Sequence, residues 1–395
     1  MKIPCHCVAA LKKFVGLAAV LLLVSCGGGG ENGNDRGDSL TLEQKAGQLV
    51  MMGVAGTSPD APAVREALAQ VRAGQLGGVI LYRYNITGPE QVRALNAAFA
   101  QANPLPYPVL VALDQEGGLV QRLRASNGFF DTPSHEDVAA TQTLDEASAT
   151  WLKMANMVAA AGFNFNFAPV VDLRSDPQDA SDAAVSTVIG QLERAFSSDP
   201  AVVVRYANRF IQAHRQAGVM TALKHWPGHG LALGDTHLGL VDVTETAKPV
   251  EQFPFQALIN AGMADAVMTA HLVNRAVDPQ WPVTLSDHFI GPMLRGQGRF
   301  DGVVVTDDLH MGAIQLEHSP REVVVRALRA GNDLLVYSNN PAAATTVPGF
   351  APRYDLGQYV GQLVRDAVTR GELTEAQIDA AWQRVRLLRQ RIPQP

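Results

Sequence analysis

Cysteine is scarce in this sequence. Cys5, Cys7 and Cys26 are the only three in 395 residues, so the chain beyond residue 26 has neither a disulfide framework nor a metal–thiolate site. Positive charge is also in short supply. The formal net charge is −6, which argues against a protein that binds nucleic acid. Past the N-terminus no apolar run approaches the ~20 residues of a membrane-spanning helix, and a polytopic membrane protein is excluded. No repeat of roughly 20–50 residues recurs, which disfavours a solenoid. What remains is 47% hydrophobic and 18% charged. That is the composition of a globular chain, long enough for two average domains or one large α/β barrel.

The N-terminus reads as an address. Lys2, Lys12 and Lys13 precede an apolar run over 14–24, and no acidic residue occurs before Glu31. Such a run is too short to span a bilayer but suits the core of a signal peptide. It ends in Leu23-Val24-Ser25-Cys26, which resembles the bacterial lipobox, where the cysteine is lipidated and becomes the new N-terminus. The expectation is a signal peptide over 1–25, lipidation at Cys26 and a flexible Gly/Asn-rich tether over 26–39. The globular domain would then occupy 40–395. The protein would be held to a membrane of the cell envelope, and Gly27 after the cysteine fits outer-membrane sorting.

From residue 40 onward, short apolar runs alternate with amphipathic stretches. The runs lie at 47–54, 76–82, 108–114, 164–172, 219–225, 266–271, 302–307 and 333–337. Helical patterns lie at 62–73, 89–102, 144–161, 200–217, 251–261, 286–296 and 320–330, and two more, at 358–369 and 375–391, close the chain. Continuous apolar strands separated by helices imply a parallel sheet covered on both faces. Eight such units predict a single (β/α)8 barrel of the TIM type, with a doubly wound sheet as the alternative. The chemically capable residues favour the barrel. Asp114, Asp172, Lys224-His225, His271 and Asp307 all stand at the C-terminal ends of runs, and in a barrel those ends converge on one rim.

Asp307, in GVVVTDDLHMGAI, is a carboxylate just past a buried strand, rigidly held and suited to act as nucleophile, base or metal ligand. Its neighbour Asp308 points elsewhere and reads as a supporting group or a helix cap. In ALKHWPGHGLALGDTHLGL, Pro227, Gly228 and Gly230 break regular structure, so Lys224 and His225 end a strand while Asp235 and His237 lie in a long loop. Two residues apart in extended backbone, Asp235 and His237 share a side. The carboxylate can therefore orient the imidazole and raise its proton affinity. His225, His229 and His237 fall within thirteen residues and invite a zinc reading, but their spacing matches no metal motif, and Lys224 would repel a cation. LDQEGGLVQRL sets Asp114, Glu116 and Arg122 around a Gly-Gly turn with no phosphate-loop pattern. Asp114 can accept from sugar hydroxyls, and Arg122, Arg194 and Lys224 can donate to oxygens.

Taken together, LDQEGGLVQRL, FNFAPVVDL, RAFSSDP, LKHWPGHG followed by DTH, and VVVTDDLHMGAI resemble glycoside hydrolase family 3, in its β-N-acetylhexosaminidase branch. The resemblance implies a retaining exo-enzyme that removes terminal β-linked N-acetylglucosamine from peptidoglycan fragments or chitooligosaccharides. It implies Asp307 as the nucleophile and His237, in a dyad with Asp235, as acid/base. Asp114, Arg122, Arg194, Lys224 and His225 would grip the sugar, with neither metal nor cofactor. A histidine would thus stand where glycosidases usually carry a second carboxylate.

The sequence departs from the family pattern in places. Thr236 replaces the commoner serine within the dyad. The stretch Gly190-Gln191-Leu192-Glu193-Arg194 is longer than the usual spacing, which weakens the assignment of Arg194. Few residues follow the eighth run, so the single-domain form is expected. The alternatives are a family-3 β-glucosidase, a phosphorylase in which phosphate replaces water, and a non-catalytic lipid-anchored sugar-binding protein.

Overall fold

In the computed structural model the described residues are 40–175 and 188–394. The signal peptide, Cys26 and the tether lie outside them. Eight barrel strands follow in chain order: β1 (Val50–Gly53), β2 (Gly78–Ile80), β3 (Leu110–Leu113), β4 (Phe165–Asn166), β5 (Met220–Trp226), β6 (Ala266–Thr269), β7 (Val303–Asp308) and β8 (Leu334–Tyr337). Every neighbour pair is parallel, and the sheet closes on itself. Met51 of β1 is in register with Gly78 of β2 on one side and with Val336 of β8 on the other. Closure removes the doubly wound alternative and establishes the (β/α)8 TIM-type barrel. Strands β1, β2, β3, β6 and β8 are buried along their whole length, as a parallel sheet wrapped in helices requires.

The outer helices begin where the sequence supplies caps. Pro62–Arg72, Pro89–Ala102, Pro200–Gln216 and Pro320–Ala330 each start with proline, whose missing N–H costs nothing there. Leu144–Ala160 and Glu375–Gln390 start with capping boxes, Thr143 with Glu146 and Thr374 with Gln377. Three elements differ from expectation. The first run was read as a strand from residue 47, but the capping box of Thr41 and Gln44 launches a helix, Leu42–Gln48, through that point. The helix expected over 286–296 is a wide π-helical segment, Phe289–Gln297, because Pro292 has no N–H to donate to the preceding turn. The run at 164–172 yields only the two residues of β4. Pro169 interrupts the ladder, which resumes as a single bridge between Val170 and Lys224. Val241–Asp242 and Leu272–Val273 form a separate small parallel sheet.

Charged groups occupy both ends of the barrel, with different partners. At the ends where strands begin, Asp265 binds Arg215 at 2.8 Å, and Asp333 binds Arg295 at 2.7 Å and Arg384 at 3.0 Å. These pairs tie outer helices to the barrel. At the other end the charged groups open onto a cavity.

Candidate active site

The cavity holds about 560 Å³ at the rim where the strands end. Strand β7 carries Asp307 into it, β5 carries Lys224 and His225, and Asp114 follows β3 directly. Loops after β3, β4 and β5 add Glu116 and Arg122, then Arg194, then Asp235 and His237. The eight residues given a catalytic or sugar-binding role from the sequence all line this one space, including Arg194 despite its unusual spacing.

One wall is a charge lattice. Lys224 Nζ lies 2.9 Å from Asp114 Oδ1 and 2.7 Å from Glu116 Oε1. Arg122 donates to Asp114 Oδ2 at 2.8 Å, and Arg194 forks onto both oxygens of Glu116 at 2.8 and 2.9 Å. Burial works to raise both carboxyl groups. Lys224 and Arg122 outweigh it at Asp114, and Arg194 and Lys224 outweigh it at Glu116, so both stay below their ordinary values. Burial works to lower Lys224, but Asp114 and Glu116 raise it above the usual lysine value. Three cations therefore face two carboxylates, a rigid array of polar groups suited to fixing a hydroxylated ligand.

His225 is oriented from behind. Its Nδ1 donates to Asp172 Oδ2 at 2.6 Å, its backbone N–H donates to Oδ1 at 3.0 Å, and Arg194 donates to its Nε2 at 3.4 Å. With both nitrogens engaged in this way, His225 has no lone pair free for a metal. His229 packs against it at 5.5 Å between ring centroids, and burial depresses its pKa to about 4. The three histidines thus form no ligand set. Among the described residues, the one group of three potential ligands whose atoms all lie within 4.8 Å of one another is Asp278, Asp287 and His288, and none of them lines this cavity.

Another side holds the reactive groups. Asp307 Oδ1 accepts the Asp308 N–H at 2.8 Å. Burial alone would raise Asp307, but His225, His271, His237 and that N–H together hold it at about 2, so it is an anion at neutral pH. Asp308 also lines the cavity, and its Oδ1 caps the turn, accepting from the N–H groups of His310 and Ser338. His271, another strand-end residue, is buried beneath, with Nε2 donating to the Asp308 carbonyl at 2.9 Å.

His237 comes from a loop seventy residues upstream. Its Nδ1 donates to Asp235 Oδ1 at 2.7 Å, and its own N–H donates to the same oxygen at 2.8 Å. That hydrogen bond is the main cause of a raised pKa, and Asp307 and Asp235 add to the rise. Nε2 is left unengaged on a side chain that is 67% exposed, so it is open to a ligand. Two backbone bonds seat the loop on the turn after β7: Gly312 N–H to His237 O and Ala313 N–H to Thr236 O, both 3.1 Å. The turn that follows Asp307 is therefore the platform for His237.

A half-buried anionic carboxylate, a dyad-held imidazole and a polar cradle in one rim cavity form a glycosidase arrangement. The model of the glycosyl hydrolase family 3 N-terminal domain matches residues 41–388. The chain belongs to glycoside hydrolase family 3. Its relatives include a β-hexosaminidase of Xylella fastidiosa, 39% identical over 73% of this chain and 82% of that one. Another is a β-hexosaminidase of Alkalilimnicola ehrlichii, 38% identical over 78% and 85%. Among solved structures, the family 3 β-N-acetylglucosaminidase of a Paenibacillus strain aligns with a TM-score of 0.77 at 33% identity, over 89% of this chain and 63% of that one. The β-N-acetylhexosaminidase of Beutenbergia cavernae aligns with a TM-score of 0.76 at 31% identity, over 89% and 99%.

Within this family 3 barrel, sequence reasoning passed over three groups. Glu116 was noticed but given no task, although it is the centre that joins Lys224 to Arg194. Asp172 was marked only as a strand end, although it orients His225. Tyr82 carried no signal at all. Its ring lies under the Arg122 guanidinium at 5.6 Å and stacks on Tyr84 at 5.7 Å.

Proposed function

We propose that this family 3 glycoside hydrolase is an exo-acting β-N-acetylhexosaminidase that works by double displacement through Asp307. The observation that carries the reading is the seating of the Asp235–His237 loop on the turn after β7, which puts imidazole and carboxylate on one cavity. The sugar is gripped by Asp114, Arg122, Arg194, Lys224 and His225. His237 Nε2–H protonates the glycosidic oxygen while Asp307 attacks the anomeric carbon. The carbon–oxygen bond to the leaving group breaks, and a glycosyl ester on Asp307 forms. His237, now neutral, takes a proton from water, whose oxygen displaces Asp307 and releases the sugar with its configuration retained. The names of the relatives support N-acetylglucosamine as the sugar. Peptidoglycan fragments and chitooligosaccharides are the proposed substrates. The lipobox-like sequence before Cys26 supports a lipid-anchored enzyme of the cell envelope.

The test compares nitrophenyl N-acetyl-β-glucosaminide, the corresponding glucoside and chitobiose, with and without phosphate. Asp307→Ala is expected to lose turnover by several orders of magnitude while unfolding at an unchanged temperature. His237→Ala is expected to lose about 10²–10⁴-fold on chitobiose, whose leaving group needs a proton, and less on the nitrophenyl substrate. Near-wild-type turnover by Asp307→Ala would remove it from the nucleophile role. Preference for the glucoside, or a sugar phosphate as product, would replace the substrate or the acceptor in this scheme.

A further inference from the structure

The turn that leads from β5 to Asp235 is held by a group with no part in that scheme. Glu251, in the short helical turn Pro249–Gln252, is 3% exposed. Among the described residues no lysine or arginine pairs with it. Its carboxylate is instead spent on backbone: Oε1 accepts the Leu231 N–H at 3.1 Å, and Oε2 accepts the Lys248 N–H at 3.3 Å. Its stem fits against Gly228, whose φ is +134°. A Cβ there would lie 2.4 Å from the Glu251 Cβ and 3.1 Å from Oε1, so only glycine admits this approach. From the barrel side, Asp172 Oδ1 takes the N–H groups of His225 and His229 at 3.0 and 2.9 Å. Residues 225–231 are thus a strip of backbone clamped between two buried carboxylates. Asp172 fixes its start and Glu251 its end, four residues before Asp235.

We infer that Glu251 is a positioning residue for the acid/base loop: by holding Leu231 N–H beneath Gly228, it sets where the chain departs toward Asp235 and so where His237 stands. It touches neither substrate nor reacting atoms. A buried carboxyl group without a countercharge is expensive to ionise, and burial pushes Glu251 up to about 7; the structure nevertheless retains it at the root of the loop that places His237. The inference rests on His237 as acid/base. A displaced acid hurts substrates whose leaving group must be protonated and spares those that leave unaided, whereas a general loss of stability hurts both alike.

The measurement is kcat/KM for chitobiose and for nitrophenyl N-acetyl-β-glucosaminide in the wild-type chain and in Glu251→Ala, Glu251→Gln and His237→Ala, with thermal unfolding alongside. For Glu251→Ala the aryl-to-chitobiose ratio is expected to rise about tenfold or more, in the direction set by His237→Ala. Glu251→Gln keeps an acceptor for Leu231, so the same bias should be smaller. It also decides the matter if the alanine variant does not fold. If His237→Ala shows the bias and the folded Glu251 variants do not, this inference alone is overturned. If His237→Ala shows none, the acid/base reading falls, and the inference with it.

Discussion

At the residue scale, Asp235 sets when His237 carries its proton. The carboxylate accepts from Nδ1 and favours the imidazolium, so the histidine stays protonated to higher pH than an ordinary one. Asp307, held at about 2, is ionised well below that point. The alkaline limb of kcat/KM should therefore report loss of the His237 proton and lie above the ordinary histidine value. Asp235→Asn removes the anion, so that limb should move to lower pH. A limb that stays put in the asparagine variant would detach it from His237. Asp235 and His237 were legible in the sequence because they are two residues apart, and Asp307 because it ends an apolar strand. Glu116 was not, because its partner Arg194 lies 78 positions away, and only the closed barrel brings them together. Asp172 was equally opaque: its role depends on the neighbouring strand, 53 positions on.

At the element scale, the seat for His237 depends on Gly312. A Cβ there would fall 2.6 Å from the His237 carbonyl oxygen and 3.0 Å from Leu238 carbon, closer than backbone permits. Gly312→Ala should thus lift the loop and weaken both backbone bonds that hold it. The expected result is a fall in kcat on chitobiose of about tenfold or more with a smaller change in KM, because transition-state contacts depend most on placement. Unchanged steady-state kinetics would show that the loop finds its place without the seat. The caps and prolines made most helices readable to within a few residues. The failures were local competitions: the Thr41–Gln44 box overrode an apolar run, and Pro292 turned an expected α-helix into a wider one. No periodicity in the sequence marks where a loop will dock, so the Gly312 contact was visible only in three dimensions.

At the scale of the whole molecule, eight alternating units announced a barrel, and the pairing of β1 with β8 completes it. The proposed anchoring is testable directly. Cys26→Ala should release the enzyme from the membrane fraction and abolish incorporation of labelled fatty acid, with chitobiase activity retained in the released protein. A variant that still pellets with membranes and still carries label would remove Cys26 from that role. The helix Leu42–Gln48 runs straight into β1 and so sits where the strands begin. Arg389, fully buried in the last helix, binds the Gln48 side chain there and the Pro108 carbonyl ahead of β3. The described chain therefore enters the barrel by its floor, opposite the mouth. The floor is thus a structural joint and the mouth a chemical one, so changes at Gln48 or Arg389 bear on how the barrel closes and not on the groups that line the cavity.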